Sequence, residues 1–131
     1  MENSIKMLIA DDDLDVAELI KNFFTANNFD CDVVYNGRDA LSKIKEKKYD
    51  VILLDVMMPY IDGYHIAYEI SNHQGDETPL IVILTARDIQ FEKNIARMSG
   101  AFEIIQKPFN LDNLLSIVKR GLEERSKKEE E

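Results

Sequence analysis

Acidic, hydroxyl and cationic side chains recur at four separated places in this sequence, each directly after a short apolar run. Asp11-Asp12-Asp13 follows Ile5 to Ala10, and Asp55 follows Val51 to Leu54. Thr85 follows Leu80 to Leu84, and Lys107-Pro108 follows Phe102 to Gln106. If the runs are neighbouring strands, these residues meet, and the meeting has a cost. Two unit charges about 4 Å apart repel by roughly 1 kcal/mol in water and about 4 kcal/mol at an effective dielectric of 20. A pocket of several acids therefore raises a pKa or recruits a cation. Ligands that are all oxygen favour a hard cation, and Mg²⁺ takes few carboxylates while keeping several waters. An aspartate beside a threonine and a lysine suits one reaction in particular: its carboxylate attacks phosphorus and becomes an aspartyl-phosphate. Catalysis of that kind rests on placement and on neutralising the equatorial oxygens. Asp55 is the better-placed nucleophile, because it ends the most buried strand. Asp11 and Asp12 are better placed as metal ligands, and Lys107 and Thr85 as partners of phosphoryl oxygens.

Taken singly, each residue has an ordinary role. Asp13 caps a helix beginning near Leu14. Thr85 ends a strand or caps the next turn, Lys107 is a solvated charge, and Pro108 is the first residue of a helix with Asn110 nearby. Asp62 before Gly63 is a turn residue. The joint occurrence at strand ends is what separates the functional reading from these.

The positioning elements follow from hydrophobic period. Ile5 to Ala10, Cys31 to Tyr35, Val51 to Leu54, Leu80 to Leu84 and Phe102 to Gln106 read as five strands. The third and fourth are apolar throughout, as parallel strands covered on both faces are. Between and after them, Ala17, Ile20 and Phe24 mark a first helix, and Ala40, Leu41 and Ile44 a second. Ile66, Ala67 and Ile70 mark a third, Ile95 and Met98 a weaker fourth, and Leu111, Leu114, Leu115, Val118 and Leu122 a fifth. Asn36-Gly37-Arg38 reads as a helix entry. Five βα units predict right-handed crossovers and a doubly wound α/β sheet with helices on both faces. Ligands of such sheets bind beyond the carboxyl ends of the strands, where the acids, the hydroxyl and the lysine lie.

These residues resemble the receiver domain of bacterial two-component response regulators. The motifs are Ile9-Ala10-Asp11-Asp12-Asp13, Leu54-Asp55-Val56-Met57-Met58-Pro59 with Asp62-Gly63, Leu84-Thr85-Ala86 and Lys107-Pro108-Phe109. The match runs from Ile5 to about Glu123. The resemblance implies a flavodoxin-like strand order, 2-1-3-4-5, with five helices, a fold for which a chemotaxis receiver is a standard example. It implies that Asp55 takes a phosphoryl group from a phosphohistidine of a histidine kinase or histidine phosphotransfer protein. It further implies that Mg²⁺, with Mn²⁺ an alternative, is held by Asp11, Asp12, Asp55 and the Met57 carbonyl, Asp12 being the more direct of the acid pair. Lys107 then contacts the phosphoryl group, the Lys107-Pro108 bond is cis, and small Ala86 leaves the site open. A downstream partner is expected on the face formed by helix four, strand five and helix five. One position departs from the family's pattern. Ile104 stands where a Tyr or Phe usually works with the threonine as a switch.

Length and composition agree with this reading. The 131 residues fit one domain, 1–124, with a charged tail at 125–131 that continues the last helix briefly and then frays. Hydrophobic residues at 45% and charged residues at 31% are ordinary globular usage. The formal charge of −9 argues against direct nucleic-acid binding. Cys31 has no internal partner, no run is long enough to span a bilayer, and the N-terminus has no leader pattern, so a cytoplasmic location is expected. Other readings account for less. Asp11 and Asp13 also resemble the acid pair of a haloacid-dehalogenase-like phosphatase, which leaves Asp55 and its Met-Met-Pro unexplained. An EF-hand at Asp11, Asp13 and Asp15 lacks its glycine, with Val16 in that place, and its closing glutamate, with Asn22 there. His65 and His73 read as solvated helix residues, and the glycines form no phosphate-binding loop. A receiver-like scaffold that is never phosphorylated has no need of Asp55, Thr85 and Lys107 together.

Overall fold

Five strands and the helices between them take shape in a computed structural model that describes residues 4–59, 61–73 and 78–130. The readings placed on residues 1–3, on the His73 side chain and on Glu131 lie outside the described residues; the charged tail, expected to fray after about a turn, is helical to Glu130. In chain order the elements are β1 (Ile5–Ala10), α1 (Leu14–Ala26), β2 (Phe29–Val34), α2 (Gly37–Glu46), β3 (Val51–Asp55) and α3 (Gly63–His73). They continue with β4 (Leu80–Thr85), a 3₁₀ turn (Ile89–Phe91), α4 (Lys93–Met98), β5 (Glu103–Gln106) and α5 (Leu111–Glu130). The strands form one parallel sheet in the order β2-β1-β3-β4-β5. This is the doubly wound, flavodoxin-like arrangement expected from the sequence.

Alternation along each strand divides the interior into two cores. Leu8, Ile52, Leu54, Ile81, Ile83 and Ile104 pack with Ala40 of α2, Ile66, Ala67 and Ile70 of α3, and Ala96 of α4. Met7, Ile9, Leu53, Val82, Leu84 and Ile105 pack with Ala17, Ile20 and Phe24 of α1 and with Leu114 and Val118 of α5. Phe24 also meets Phe29 edge-to-face at 5.0 Å. β3 and β4 are buried along their whole length. Burying one such aliphatic side chain contributes about 1.5–3 kcal/mol, so the two central strands are the most firmly held part of the sheet.

Local signals fix where helices start. Asp13 caps α1, its carboxylate accepting from the N–H groups of Asp15 (3.1 Å) and Val16 (3.2 Å). Asn36 caps α2 through the Asp39 N–H (2.8 Å), and Asp62 caps α3 through the His65 N–H (3.0 Å). Pro108 is not the first residue of a helix. Asn110 is the cap of α5, accepting from the Asn113 N–H at 3.0 Å, and this keeps Pro108 in the loop beside the strand ends.

α4 departs most from the helical pattern. Ile95 and Met98 are 49% and 81% exposed, and the buried residue is Ala96. Six residues make fewer than two turns, so a small alanine is enough to seat the helix on the sheet. At the sheet's edge, Asp32 of β2 accepts from Lys47 Nζ (2.8 Å) and Tyr49 Oη (2.6 Å). His65 pairs with Glu69 one turn on, at 3.5 Å on an exposed face, a contact the spacing of the histidines did not suggest.

Candidate functional site

Parallel register decides which side chains meet. Ala10 lies opposite Leu54, so the next residues, Asp11 and Asp55, leave the sheet side by side. Asp55 lies opposite Leu84, which places Thr85 one step beyond, and Thr85 lies opposite Gln106, with Lys107 next. Backbone hydrogen bonds tie these ends together: the Lys107 N–H donates to the Thr85 carbonyl at 2.6 Å, and the Val56 N–H to the Leu84 carbonyl at 3.1 Å. The site is therefore set by the ends of β1, β3, β4 and β5, of which the central pair is buried throughout.

Asp11 and Asp55 are both buried, at 0% and 4% exposure. Each carboxylate uses one oxygen on the backbone and the other on a shared cation. Asp11 Oδ1 accepts from the Asp13 N–H (2.9 Å), and Asp55 Oδ1 from the Met57 N–H (3.0 Å). Lys107 Nζ donates to Asp11 Oδ2 at 2.8 Å and to Asp55 Oδ2 at 3.2 Å. Burial pushes the Asp11 carboxyl above its ordinary range, with the charge of Asp55 adding to the effect, against the opposing hydrogen bonds of Lys107 and Asp13. Burial alone would lower the Lys107 ammonium. Its hydrogen bond to Asp11 and the charges of both acids raise it instead, so it stays protonated.

Asp12 is exposed beside this pair. Asp11, Asp12 and Asp55 can each offer an oxygen such that all three lie within 4.8 Å of one another. Three carboxylates face one ammonium, and that ammonium engages only two of them. The surplus negative charge and the all-oxygen donor set fit a hard divalent cation. Met57, next but one to Asp55, is half exposed at the rim.

Thr85 is fully buried at the end of β4, and its Oγ1 accepts from the Arg87 N–H at 3.0 Å. That leaves its own hydrogen available to an incoming oxygen. Ala86 is exposed and lines an apolar groove of about 460 Å³ with Lys107, Pro108 and Phe109 on one side and Val16, Leu19 and Ile20 of α1 on the other. The Lys107-Pro108 bond is cis, as the resemblance implies. Ile104, at the position that departs from the family, is 8% exposed and packs into the core beneath α4.

Asp11, Asp55 and Lys107 are thus brought into direct contact, with Asp12 alongside and Thr85 on the adjoining strand end. Sequence reasoning missed one requirement of the site and one set of residues that lies beside it. One is Gly63: a Cβ there would sit 2.8 Å from the Asp55 carbonyl oxygen and 3.0 Å from Val56 Cα. Its place after Asp62 suggests a turn and belongs to the motif that carries the resemblance, but neither reading shows that close backbone approach behind Asp55 requires a glycine there. The other is the set Tyr64, Arg87 and Glu92. Glu92 accepts from Tyr64 Oη at 2.5 Å and from Arg87 Nη1 at 3.0 Å. Arg87 and Glu92 lie five residues apart across the turn, a spacing that carries no helical or strand signal.

Comparison with known proteins gives a consistent picture. The family model described as "Response regulator receiver domain" matches residues 7–119. The response regulator MprA of Mycobacterium bovis is 35% identical over 127 residues, covering 97% of this chain and 54% of MprA. The response regulator ArlR of Staphylococcus saprophyticus is 34% identical over 94% of this chain and 54% of its own length. The chain thus spans about half the length of these curated relatives. Among solved structures, the Francisella response regulator 1452 receiver domain superposes with a TM-score of 0.85 at 34% identity, covering 92% of this chain and 98% of that one. A CheY-like receiver domain protein of Methanospirillum hungatei, 21% identical, shares the fold with a TM-score of 0.89 over 96% of this chain and 99% of its own.

Proposed function

The chain belongs to the response regulator receiver domain family, and on that premise we propose that Asp55 is the residue at which it accepts a phosphoryl group, in a Mg²⁺-dependent reaction. The observation that carries the proposal is the Lys107 ammonium lying between the buried carboxylates of Asp11 and Asp55, with the exposed Asp12 completing the acid cluster. The donor is a phosphohistidine of a histidine kinase or of a histidine phosphotransfer protein. An Asp55 carboxylate oxygen attacks phosphorus, the P–N bond breaks, and the imidazole leaves with the electron pair, giving an acyl phosphate. Mg²⁺, or Mn²⁺ in its place, would be held by Asp11, Asp12, Asp55 and the Met57 carbonyl, and when bound it supplies charge neutralisation at the phosphoryl oxygens. Lys107 exchanges its contact with the Asp55 carboxylate for one with the transferred group. Thr85 donates its hydroxyl hydrogen to another oxygen of that group.

The receiver unit is taken as 1–124, with the charged segment 125–131 continuing from it; α5 carries this segment as helix to Glu130. The phosphoryl group adds about −1.5 to −2 charges, and the response is a population shift at the face formed by α4, β5 and α5, where a downstream protein binds. Exposed Phe91, Ile95 and Met98 on that side favour a protein partner. The acidic balance speaks against nucleic acid, and no helix among the described residues is long and apolar enough to cross a membrane. A cytoplasmic location fits both. Incubating the protein with acetyl phosphate tests the chemistry. Acid-labile phosphate should appear with Mg²⁺, disappear with a chelator and be absent from Asp55→Asn. Equal incorporation by Asp55→Asn would refute the assignment.

A further inference from the structure

Thr85 reaches the rest of the molecule through a short chain of hydrogen bonds that leads to α4. Its Oγ1 accepts from the Arg87 N–H at 3.0 Å. The Arg87 guanidinium donates from Nη1 to Glu92 Oε2 at 3.0 Å. Glu92 Oε1 in turn accepts from Tyr64 Oη, which α3 holds in place. Glu92 is also the residue that opens α4, its carbonyl accepting from the Ala96 N–H at 3.0 Å. Its side chain is not used as a helix cap; both oxygens go to Tyr64 and Arg87.

Burial makes this arrangement consequential. Glu92 is 9% exposed although its two partners come from different elements and Arg87 is itself exposed. A buried carboxylate held by two donors is costly to leave half-paired, so it tends to move with its donors or to change partners as a unit. Ile104, which packs beneath α4, is aliphatic and offers Glu92 no alternative partner. α4 itself is short and seated by Ala96 alone.

We propose that Arg87, Glu92 and Tyr64 form the link through which a change at Thr85 reaches the first turn of α4, with Glu92 the positioning residue that joins the two. The inference rests on the proposed role of Thr85 at the phosphoryl group. When the Thr85 hydroxyl turns to a new oxygen, the Arg87 N–H is displaced with it. The Arg87 guanidinium then pulls on or releases Glu92, and the start of α4 follows. Tyr64 anchors the far end and sets the resting position. The aliphatic Ile104 takes no part in hydrogen bonding along this path.

Backbone amide NMR and hydrogen exchange test the link in two arms, using wild type, Glu92→Gln, Tyr64→Phe and Arg87→Ala. Arg87→Ala truncates an exposed side chain but leaves Glu92 to Tyr64 alone, and Tyr64→Phe leaves it to Arg87 alone, so the amide spectrum of each variant is first matched to wild type to establish an intact fold. In the resting protein, Glu92→Gln should speed exchange of the Arg87 amide, which donates to Thr85 Oγ1, and of the Ala96 amide, which donates to the Glu92 carbonyl, together, by about tenfold, as expected for losing one charge-assisted hydrogen bond. With phosphodonor and Mg²⁺, Glu92→Gln and Arg87→Ala should still take up phosphate, while the phosphorylation-dependent shifts at Ile95 and Met98 fall by about half or more. Unchanged resting exchange in Glu92→Gln would overturn the link. So would a full α4 response in both phosphorylated variants. If wild type itself takes up no phosphate, the proposed function fails instead, and the resting arm alone decides the link.

Discussion

Lys107 carries the heaviest electrostatic duty of any single side chain in the site. Its ammonium lies within hydrogen-bonding distance of two buried carboxylates that would otherwise repel each other. Removing one partner of a buried ion pair costs about 3–5 kcal/mol, and the 19% exposure of this lysine calls for a lower figure. Lys107→Ala should therefore destabilise the fold by about 2 kcal/mol in urea denaturation without divalent cation. Added Mg²⁺ should recover part of that loss, because a cation then shields the same two acids. A loss that Mg²⁺ does not touch would mean that Lys107 matters for packing and not for charge. Several of these roles were legible in the sequence: Asp11, Asp55 and Lys107 each follow a strand, and strand ends are where such sheets do chemistry. The backbone N–H groups of Asp13 and Met57 were not, since any residue but proline supplies an N–H and only loop geometry aims it.

Elements differ in how plainly the chain announces them. β3 and β4 were readable because both faces of each are covered, which demands an unbroken apolar run. β2 lies at the edge and mixes Asp30 and Asp32 with its apolar residues, so its start, at Phe29, lay two residues before the boundary drawn from pattern. α4 was the least legible, because Ile95 and Met98 face solvent and only Ala96 faces inward. No helical period survives in so short a segment. The edge itself provides a test of element-scale electrostatics. Burial alone would raise the Asp32 carboxyl, but hydrogen bonds from Lys47 and Tyr49 hold it below its ordinary value. A depressed carboxyl contributes stability above its unfolded-state pKa of about 3.9, and that contribution is lost as pH falls through the lower folded value. Asp32→Asn should accordingly cost about 1 kcal/mol at pH 7, a modest figure because Lys47 is 40% exposed. The difference should shrink as the pH of the urea titration is brought to about 3 and below. A constant difference at all pH values would assign the effect to packing around Tyr49.

At the scale of the whole molecule, two cores clamp one sheet and leave its carboxyl end as the place where charge can accumulate. The architecture followed from the βα alternation, and the strand order from the resemblance. Neither revealed that Tyr64 on α3 would share a carboxylate with the turn after β4, because that contact depends on how α3 and α4 sit over the sheet. A cation that binds only the folded state stabilises it by mass action, by about 2.7 kcal/mol at a hundredfold excess over its Kd. Thermal unfolding should thus shift upward with Mg²⁺ in wild type and much less in Asp12→Asn, which removes an exposed carboxylate and disturbs no buried contact. An equal shift in both would place the cation elsewhere.

Trapping the acyl phosphate where it forms is the most direct measurement of all. Protein incubated with a phosphodonor and Mg²⁺ is reduced with borohydride, which converts an acyl phosphate to the alcohol, and is then digested and sequenced by mass spectrometry. The reduced residue should be Asp55, with none found in the chelator control. A reduced residue at Asp11, or none anywhere in protein that binds Mg²⁺, would contradict the assignment of the phosphoryl group to the end of β3.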